Sequence, residues 1–431
     1  MPVYLFTGLD LLAASGAERG GLLIVDDKIA ALGKEAASHP AAQSAVTIDA
    51  RGLTAAPGFI DLHVHLRQPG HEYKETIASG TRAAAAGGFT AVCPMANTRP
   101  VNDEPGHTRF ILETAARQAS ARVYPVAALS MGLKGKGLSE MAALKEAGAV
   151  AFSDDGLPLA DNRLFRRALE YARGLDMPVI CHSEDLSLSA GGVMHEGPVS
   201  ARLGLPGIPA AAETLGVARD IILAELCQAR VHIAHVSCAA SLSLIAAAKE
   251  RGVRVTCETA PHYLLLCDED VGDYDTFRKM NPPLRGPEDR QALREALAGG
   301  LIDALATDHA PHSQLEKQIE FDQAAFGVTG LETALGAMLQ LVKEGVITLP
   351  RLAELMSSAP ARILGVPGGR LRPGEAADVV IFDPSRPWRV REEDFYSLSA
   401  NSPFIGFTLP GRALYTICAG RLTHGPEEKL T

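Results

Sequence analysis

Cysteine is scarce and unpatterned in this chain. Cys93, Cys181, Cys227, Cys238, Cys257, Cys267 and Cys418 are the only seven in 431 residues, with no Cys-x-x-Cys spacing. Such a set fits reduced thiols used as small core residues. Basic runs are also missing, and the formal net charge of −10 argues against a nucleic-acid-binding surface. No uninterrupted apolar stretch approaches the roughly 20 residues needed to cross a bilayer. Met1-Pro2-Val3-Tyr4 lacks the charged and apolar regions of a signal peptide. These absences predict a cytoplasmic protein with neither a nucleic-acid nor a membrane partner. The chain does contain 47% hydrophobic and 21% charged residues, enough for a large core.

Residues 1–57 read as β-rich scaffold. Gly20-Gly21-Leu22-Leu23-Ile24-Val25 and Lys28-Ile29-Ala30-Ala31-Leu32-Gly33 form a predicted hairpin around an Asp26-Asp27 turn. Val46-Thr47-Ile48-Asp49 is a further short strand. From Pro57 the rhythm changes to strands alternating with helices. Strands are predicted at 59–63, 89–93, 123–127, 149–153, 178–182, 231–235, 253–258 and 302–308. Helices are predicted near 73–86, 106–119, 139–147, 163–173, 209–227, 239–251 and 288–297. Eight strand-helix units in about 300 residues predict a (β/α)8 barrel of the TIM type. A doubly wound sheet is disfavoured, because no Gly-x-Gly-x-x-Gly turn follows the first strand. After about residue 365 the pattern reverts to β, with apolar strands around Val379-Val380-Ile381-Phe382 and Leu414-Tyr415-Thr416-Ile417-Cys418. The expected organisation is a catalytic barrel over 58–365 and a small β-sandwich assembled from 1–57 and 366–431.

The barrel's first strand ends in Asp61-Leu62-His63-Val64-His65-Leu66-Arg67-Gln68-Pro69. Residues two apart on a strand share a face, so His63 and His65 point to one side as half of a divalent-metal site. Metal-competent residues stand at four more strand ends: Asp155 or Asp154 after the fourth, His182 at the fifth, His235 at the sixth and Asp308 at the eighth. Singly, each has a plain structural reading as a core histidine or a helix cap. Together, on the rim where barrels keep their chemistry, four histidines and two aspartates offer nitrogen and oxygen ligands for two divalent ions, zinc first among them.

With those residues in view, the chain resembles the dihydroorotases of the amidohydrolase superfamily over essentially its whole length. Asp61-Leu62-His63-Val64-His65-Leu66-Arg67 resembles the family's first signature. Ala306-Thr307-Asp308-His309-Ala310-Pro311-His312, with Lys317 beyond it, resembles the second. The resemblance implies the reversible interconversion of N-carbamoyl-L-aspartate and L-dihydroorotate, a step of pyrimidine synthesis. Many relatives bridge two metals with a carboxylated lysine after strand four, but no lysine occurs between Lys145 and Lys249 here. Ser153-Asp154-Asp155-Gly156 stands there instead, as in a bacterial subgroup that uses an aspartate. Strand parity favours Asp155 as the bridge, with Ala151 and Ser153 inside and Val150 and Phe152 against the helices.

The resemblance gives Asp308 two implied roles, as a metal ligand and as the group that takes a proton and returns it to the leaving nitrogen. Bound divalent ions lower the pKa of water to about 7, which suits hydrolysis of a cyclic amide. Arg67 can fork onto a substrate carboxylate. The resemblance adds His65, Asn97, Asn281 and His312 as substrate contacts, with backbone contacts at Phe326 and Gly327. The polar segment 313–325 is expected to act as a lid. His39, His71, His107, His195 and His424 are read as loop or exposed residues, and His309 as structural. His262 is read as a neighbour of the site, and His232 as facing the helices. A homo-oligomer is expected, and a complex with aspartate transcarbamoylase is compatible with the family. Two competing readings are a hydantoinase or allantoinase, which the missing bridge lysine and the Arg67–Asn97 pair disfavour, and a metal-less scaffold, which the full histidine set disfavours.

Overall fold

The computed structural model describes residues 3–13 and 16–426; Met1 and Pro2, which open the N-terminal reading above, lie outside the described residues. Five strands come first: β1 (Tyr4–Ala13), β2 (Gly16–Val25), β3 (Lys28–Gly33), β4 (Val46–Asp49) and β5 (Thr54–Pro57). β2 and β3 form the expected hairpin, with Asp26 in its turn at φ 54°. That is a left-handed conformation which aspartate tolerates and hairpin twist favours. A bulge between Phe6 and Leu9 shifts the alternation of β1, so Tyr4, Phe6, Leu9 and Leu11 all join one core.

The alternating segment follows. In order it comprises β6 (Phe59–Val64), α1 (Ile77–Ala86), β7 (Phe89–Pro94), α2 (Pro105–Gln118), β8 (Arg122–Val123), β9 (Val126–Ala127), α3 (Met141–Glu146) and β10 (Ala151–Phe152). It continues with α4 (Asn162–Gly174), β11 (Val179–Cys181), α5 (Ala210–Cys227), β12 (Val231–Ile233), α6 (Ala239–Glu250), β13 (Val255–Thr259), α7 (Pro287–Ala298), β14 (Ala304–Leu305) and α8 (Ala334–Lys343). Neighbouring strands pair in parallel around the barrel. The predicted third strand is split into β8 and β9 at Pro125, which has no N–H to give to a ladder. The eighth strand is shorter than expected because the Thr307 N–H goes to the Asp61 carboxylate, 3.2 Å away, instead of to a backbone carbonyl. The ring closes just beyond, where Val64 bridges His309 and the His65 N–H donates to His309 O at 2.8 Å.

Local chemistry sets the helix starts. α1 begins at Ile77, later than predicted, because Thr76 and Ser79 form a reciprocal capping box. α4 begins after Asp161, whose carboxylate accepts from the N–H groups of Arg163 and Leu164. The barrel interior is lined by Leu62, Cys93, Met95, Val126, Ala151, Ile180, Ala234, Ala304 and Ala306. It is plugged at the end away from the site by Leu364 of α9 (Ala359–Leu364).

The chain ends in β15 (Val379–Arg389), β16 (Thr408–Cys418) and β17 (Arg421–His424). These continue the N-terminal strands in one sheet of order β17-β16-β15-β5-β1-β2-β3, with β4 on the side of β1. Ile24, Ile29, Ile48, Val379, Ile381 and Ile417 from both ends of the chain pack with the β1 residues into a single apolar cluster. The barrel and the β domain drawn from both termini bear out the expected fold class, the described strands of that domain joining in one eight-stranded sheet.

Candidate metal centre and active site

β6 delivers the first pair of candidate ligands. Apolar flanks bury it on both sides, and a register shift between Asp61 and Val64 breaks its alternation, so that His63 and His65 reach the interior although Leu62 lines it too. Asp61, His63 and His65 are all less than a tenth exposed. Asp61 accepts from the N–H groups of His63 and Thr307, tying strand one to the start of the strand-eight loop. Burial pushes its carboxyl up to about 7.

Asp155 is the shared centre. Its Oδ1 lies 3.3 Å from His63 Nε2, 3.6 Å from His182 Nδ1 and 3.7 Å from His235 Nε2, while Oδ2 lies 3.6 Å from His65 Nε2. Asp308 completes the ring, its Oδ1 3.1 Å from His65 Nε2 and 3.5 Å from His63 Nε2. Ala151 belongs to the interior cluster and Phe152 to the outer one. That parity aims Asp155 inward. Asp154 instead accepts from the N–H groups of Leu129 and Ser130 and shapes the neighbouring loop.

The donor set fits divalent ions. Ligand atoms about 2.0–2.2 Å from a tetrahedral ion stand about 3.4 Å apart, close to the 3.3 to 3.7 Å separations around Asp155. His63, His65 and Asp155 form one group of convergent donors, and Asp155, His182 and His235 form a second. His63 is fully buried with no hydrogen-bond partner for either ring nitrogen, a costly arrangement unless a cation takes the lone pair. Burial opposes charge at His63, yet the Asp155 and Asp308 carboxylates raise it well above the usual histidine range. The cluster is electrostatically built for positive charge.

Three of these residues hold unusual backbone. Arg67, His235 and Asp308 have φ of 61°, 37° and 48°, left-handed values that cost non-glycine residues roughly 1–3 kcal/mol each. The bend at His235 turns its ring inward even though the preceding Ala234 already faces the interior. For that reason the parity reading of His232 fails. His232 does not face the helices but lies inside the barrel, fully buried, with Nδ1 2.8 Å from Thr256 Oγ1 and Nε2 3.2 Å from Glu258 Oε2.

A cationic pocket borders the ring. Arg67 donates through Nε to Pro311 O at 3.1 Å, and its Nη2 lies 3.2 Å from His312 Nε2. Lys74 Nζ stands 3.4 Å from the other nitrogen of His312. Burial and the two cations push His312 down to about 2, so it stays neutral, while burial brings Arg67 only to about 10, so it stays charged. Asn97 faces His65, with Oδ1 2.9 Å from Nδ1, and Asn281 donates to Glu184 at 3.1 Å. Gly327 lies beside His312 at φ 128°, where a side chain would meet Ala310 Cβ at 2.7 Å, so glycine is required there. Its N–H already donates to Lys279 O at 3.0 Å. Phe326 packs its ring 4.6 Å from Lys279 Nζ.

Several contributors were missed in the sequence. Glu184 hydrogen-bonds His182 Nε2 at 2.9 Å; its position two residues after a strand-end ligand was a usable signal. Glu258, a carboxylate near the end of the seventh barrel strand, was another. Lys74, Asn401 and Glu75 carried no local signal. Asn401 accepts from the His312 N–H at 3.2 Å, and Glu75 faces His309 Nε2 at 3.4 Å. His309 is buried, its Nδ1 accepting from the Gly330 N–H at 3.3 Å. His262 is buried against Tyr263 with an unpartnered Nε2. His107, His195 and His424 sit in regular elements rather than loops.

Known proteins match this geometry. The Dihydro-orotase-like family matches residues 52–241, and the Amidohydrolase family matches residues 210–424. The dihydroorotase of Desulforapulum autotrophicum is 53% identical over 95% of this chain and 96% of its own length. That of Geobacter metallireducens is 55% identical over 88% and 89%. Among solved structures, the L-hydantoinase (dihydropyrimidinase) of Arthrobacter aurescens superimposes with a TM-score of 0.88 at 26% identity, covering 99% of this chain and 96% of that one. The chain belongs to the dihydroorotase family of metal-dependent amidohydrolases.

Proposed function

We propose that the chain interconverts N-carbamoyl-L-aspartate and L-dihydroorotate, using His63, His65, Asp155, His182, His235 and Asp308 to hold two divalent ions, most simply Zn2+. The observation that carries this reading is the ring of convergent donors about Asp155 set beside the Arg67–His312–Lys74 pocket. A ring amide and a carboxylate on one small molecule require that pairing. When bound, the ions supply Lewis acidity and a nucleophile usable near neutral pH.

The chain's own residues do the rest. Arg67 forks onto the substrate carboxylate with Asn97 and His312 beside it, while Asn281 and the Phe326 backbone contact the rest of the substrate. Asp308 takes the proton of the attacking group and returns it to the ring nitrogen as the amide opens. In the reverse direction it takes a proton from the carbamoyl nitrogen, which attacks the side-chain carboxyl carbon, and it returns that proton to the departing carboxylate oxygen as the C–O bond breaks and hydroxide leaves. Lys317 and Lys279 hold the 313–327 segment over the site.

The chain divides into a barrel over 58–365 and a β module from 1–57 and 366–431. Seven free, buried cysteines fit a cytoplasmic setting, and among the described residues no helix is long and apolar enough to cross a membrane. α5 exposes Leu215, Ile222 and Leu226 along one face, which supports a homo-oligomer. Assembly with aspartate transcarbamoylase is compatible with the family. The deciding experiment combines metal analysis with turnover of L-dihydroorotate, hydantoin and allantoin. Two bound metals and preference for dihydroorotate are expected. Preference for hydantoin, or no dihydroorotate turnover by metal-loaded protein, sinks the reading.

A further inference from the structure

Ligand histidines have two nitrogens, and the one turned away from the ligand site needs an acceptor. His65 Nδ1 has Asn97 Oδ1 at 2.9 Å, and His182 Nε2 has Glu184 Oε2 at 2.9 Å. For His63, Nε2 faces Asp155 and Asp308, and Nδ1 faces Glu258 Oε1, 3.7 Å away. Glu258 stands on β13, 1% exposed, and its second oxygen lies 3.2 Å from His232 Nε2. His232 is held in turn by Thr256, whose Oγ1 lies 2.8 Å from Nδ1. His63 Nδ1, His232 Nε2 and both Glu258 oxygens are buried without a formed hydrogen bond, and each faces its neighbour in this chain as its nearest polar complement.

A neutral imidazole carries one N–H. If that proton sits on Nε2 of His63, the lone pair points away from Asp155 and the ligand is lost. If it sits on Nδ1, it requires an acceptor in the barrel interior, and Glu258 is the carboxylate facing it. The Glu258 carboxylate facing His232 Nε2 calls for the N–H on that nitrogen, which leaves Nδ1 to accept from the Thr256 hydroxyl, so the chain Thr256, His232, Glu258, His63 is consistent in donors and acceptors throughout. We propose that Glu258, braced by His232, is a positioning residue that keeps the His63 proton on Nδ1 and presents Nε2 as a basic metal ligand. This inference rests on the two-metal reading above.

The test uses metal-free full-length protein titrated with zinc against a competing chelator, with thermal melting of the metal-free form in parallel. Removing the carboxylate partner of a ligand histidine weakens metal binding about 10–100-fold. E258M should therefore weaken zinc binding about 100-fold. E258Q, which keeps an oxygen for His63 but sets an amide against the His232 N–H, should weaken it about 10-fold. H232Q, with Glu258 in place, should fall about 10-fold as well, and serves with E258Q if E258M does not fold. At saturating zinc the KM for dihydroorotate should stay within about threefold of wild type while kcat falls, and Co2+-loaded E258Q should show a shifted visible spectrum. Zinc affinity within threefold of wild type in both E258Q and H232Q overturns the inference, as does lowered metal-free melting with unchanged affinity. If wild-type protein binds zinc and turns over dihydroorotate in that case, the two-metal reading stands and only this assignment falls. If wild-type protein binds no metal, both fall.

Discussion

Adjacent aspartates with opposite duties decide the chemistry at the residue scale. Asp155 faces four histidines across 3.3 to 3.7 Å, whereas Asp154 is committed to the Leu129 and Ser130 amides. Asp155→Ala is therefore expected to lose bound metal and activity together. Asp154→Ala should keep metal while losing some stability, by metal analysis and thermal melting. If Asp154→Ala strips the metal and Asp155→Ala does not, the bridge assignment is wrong. Asp308→Asn should lower kcat by about 10²–10⁴-fold with a melting curve close to wild type; near-normal kcat would remove its proton-transfer role. Arg67→Gln deletes a charged hydrogen-bond donor worth about 1.5–3 kcal/mol, so KM for dihydroorotate should rise about 10–150-fold with kcat less affected. The strand-end ligands were legible because residue type and spacing alone announce them. Glu258 and Lys74 were less so, since their partners are far away in sequence.

The segment over the site shows what elements add. Lys317 lies at the end of a four-residue helical turn and is 1% exposed. Its ammonium donates to Lys279 O, Ala325 O and Gly327 O at 3.2, 2.8 and 2.9 Å. Lys279 does the same for Phe321 O and Asp322 O at 2.7 and 3.0 Å. The expected lid is thus clamped by buried ammonium groups along one edge, while Leu315 near its tip is 86% exposed. Lys317→Met should leave those carbonyls unsatisfied and cost about 3 kcal/mol in urea unfolding. It should also open 313–327 to proteolysis. An unchanged digestion pattern there would refute the clamp. Helix positions were readable to within a few residues from the apolar rhythm, while the caps at Thr76 and Asp161 fixed where two of them begin. Strand eight was overread because its apolar run does not reveal that an aspartate side chain, not a backbone carbonyl, receives the Thr307 N–H.

At the scale of the whole molecule, the two chain ends and the barrel are joined by specific polar contacts. Arg122 of β8 pairs with Asp378 at 3.2 Å, and Thr416 of β16 donates to Ala85 O at the end of α1 at 2.6 Å. β17 adds a titrating group far from the metal cluster. Burial, with Arg412 nearby, pushes His424 down to about 4 from an unfolded value near 6.5. The unfolded chain thus takes up a proton between pH 6.5 and 4 that the folded chain refuses, and stability falls as pH falls through that window. With His424 partly buried, about 1–2 kcal/mol is at stake. The unfolding free-energy difference between wild type and His424→Gln should change across pH 4–6.5 and be flat above 7. A difference independent of pH would remove the assignment.

The sequence by itself determined the alternating barrel, the β module of both termini and the types of the metal-competent residues. Those follow from periodicity, strand ends and side-chain chemistry, all local in the chain. Tertiary structure alone decided the pairing of distant groups. It put Asp155 between two histidine pairs, turned His235 inward through a left-handed backbone, brought His232 under the ring instead of among the helices, and set Glu258 against His63 and Lys74 against His312, each far away in sequence. The physical reason is that propensity and parity act over a few residues, whereas hydrogen-bond partners, desolvation and strain are settled only when separate strands meet.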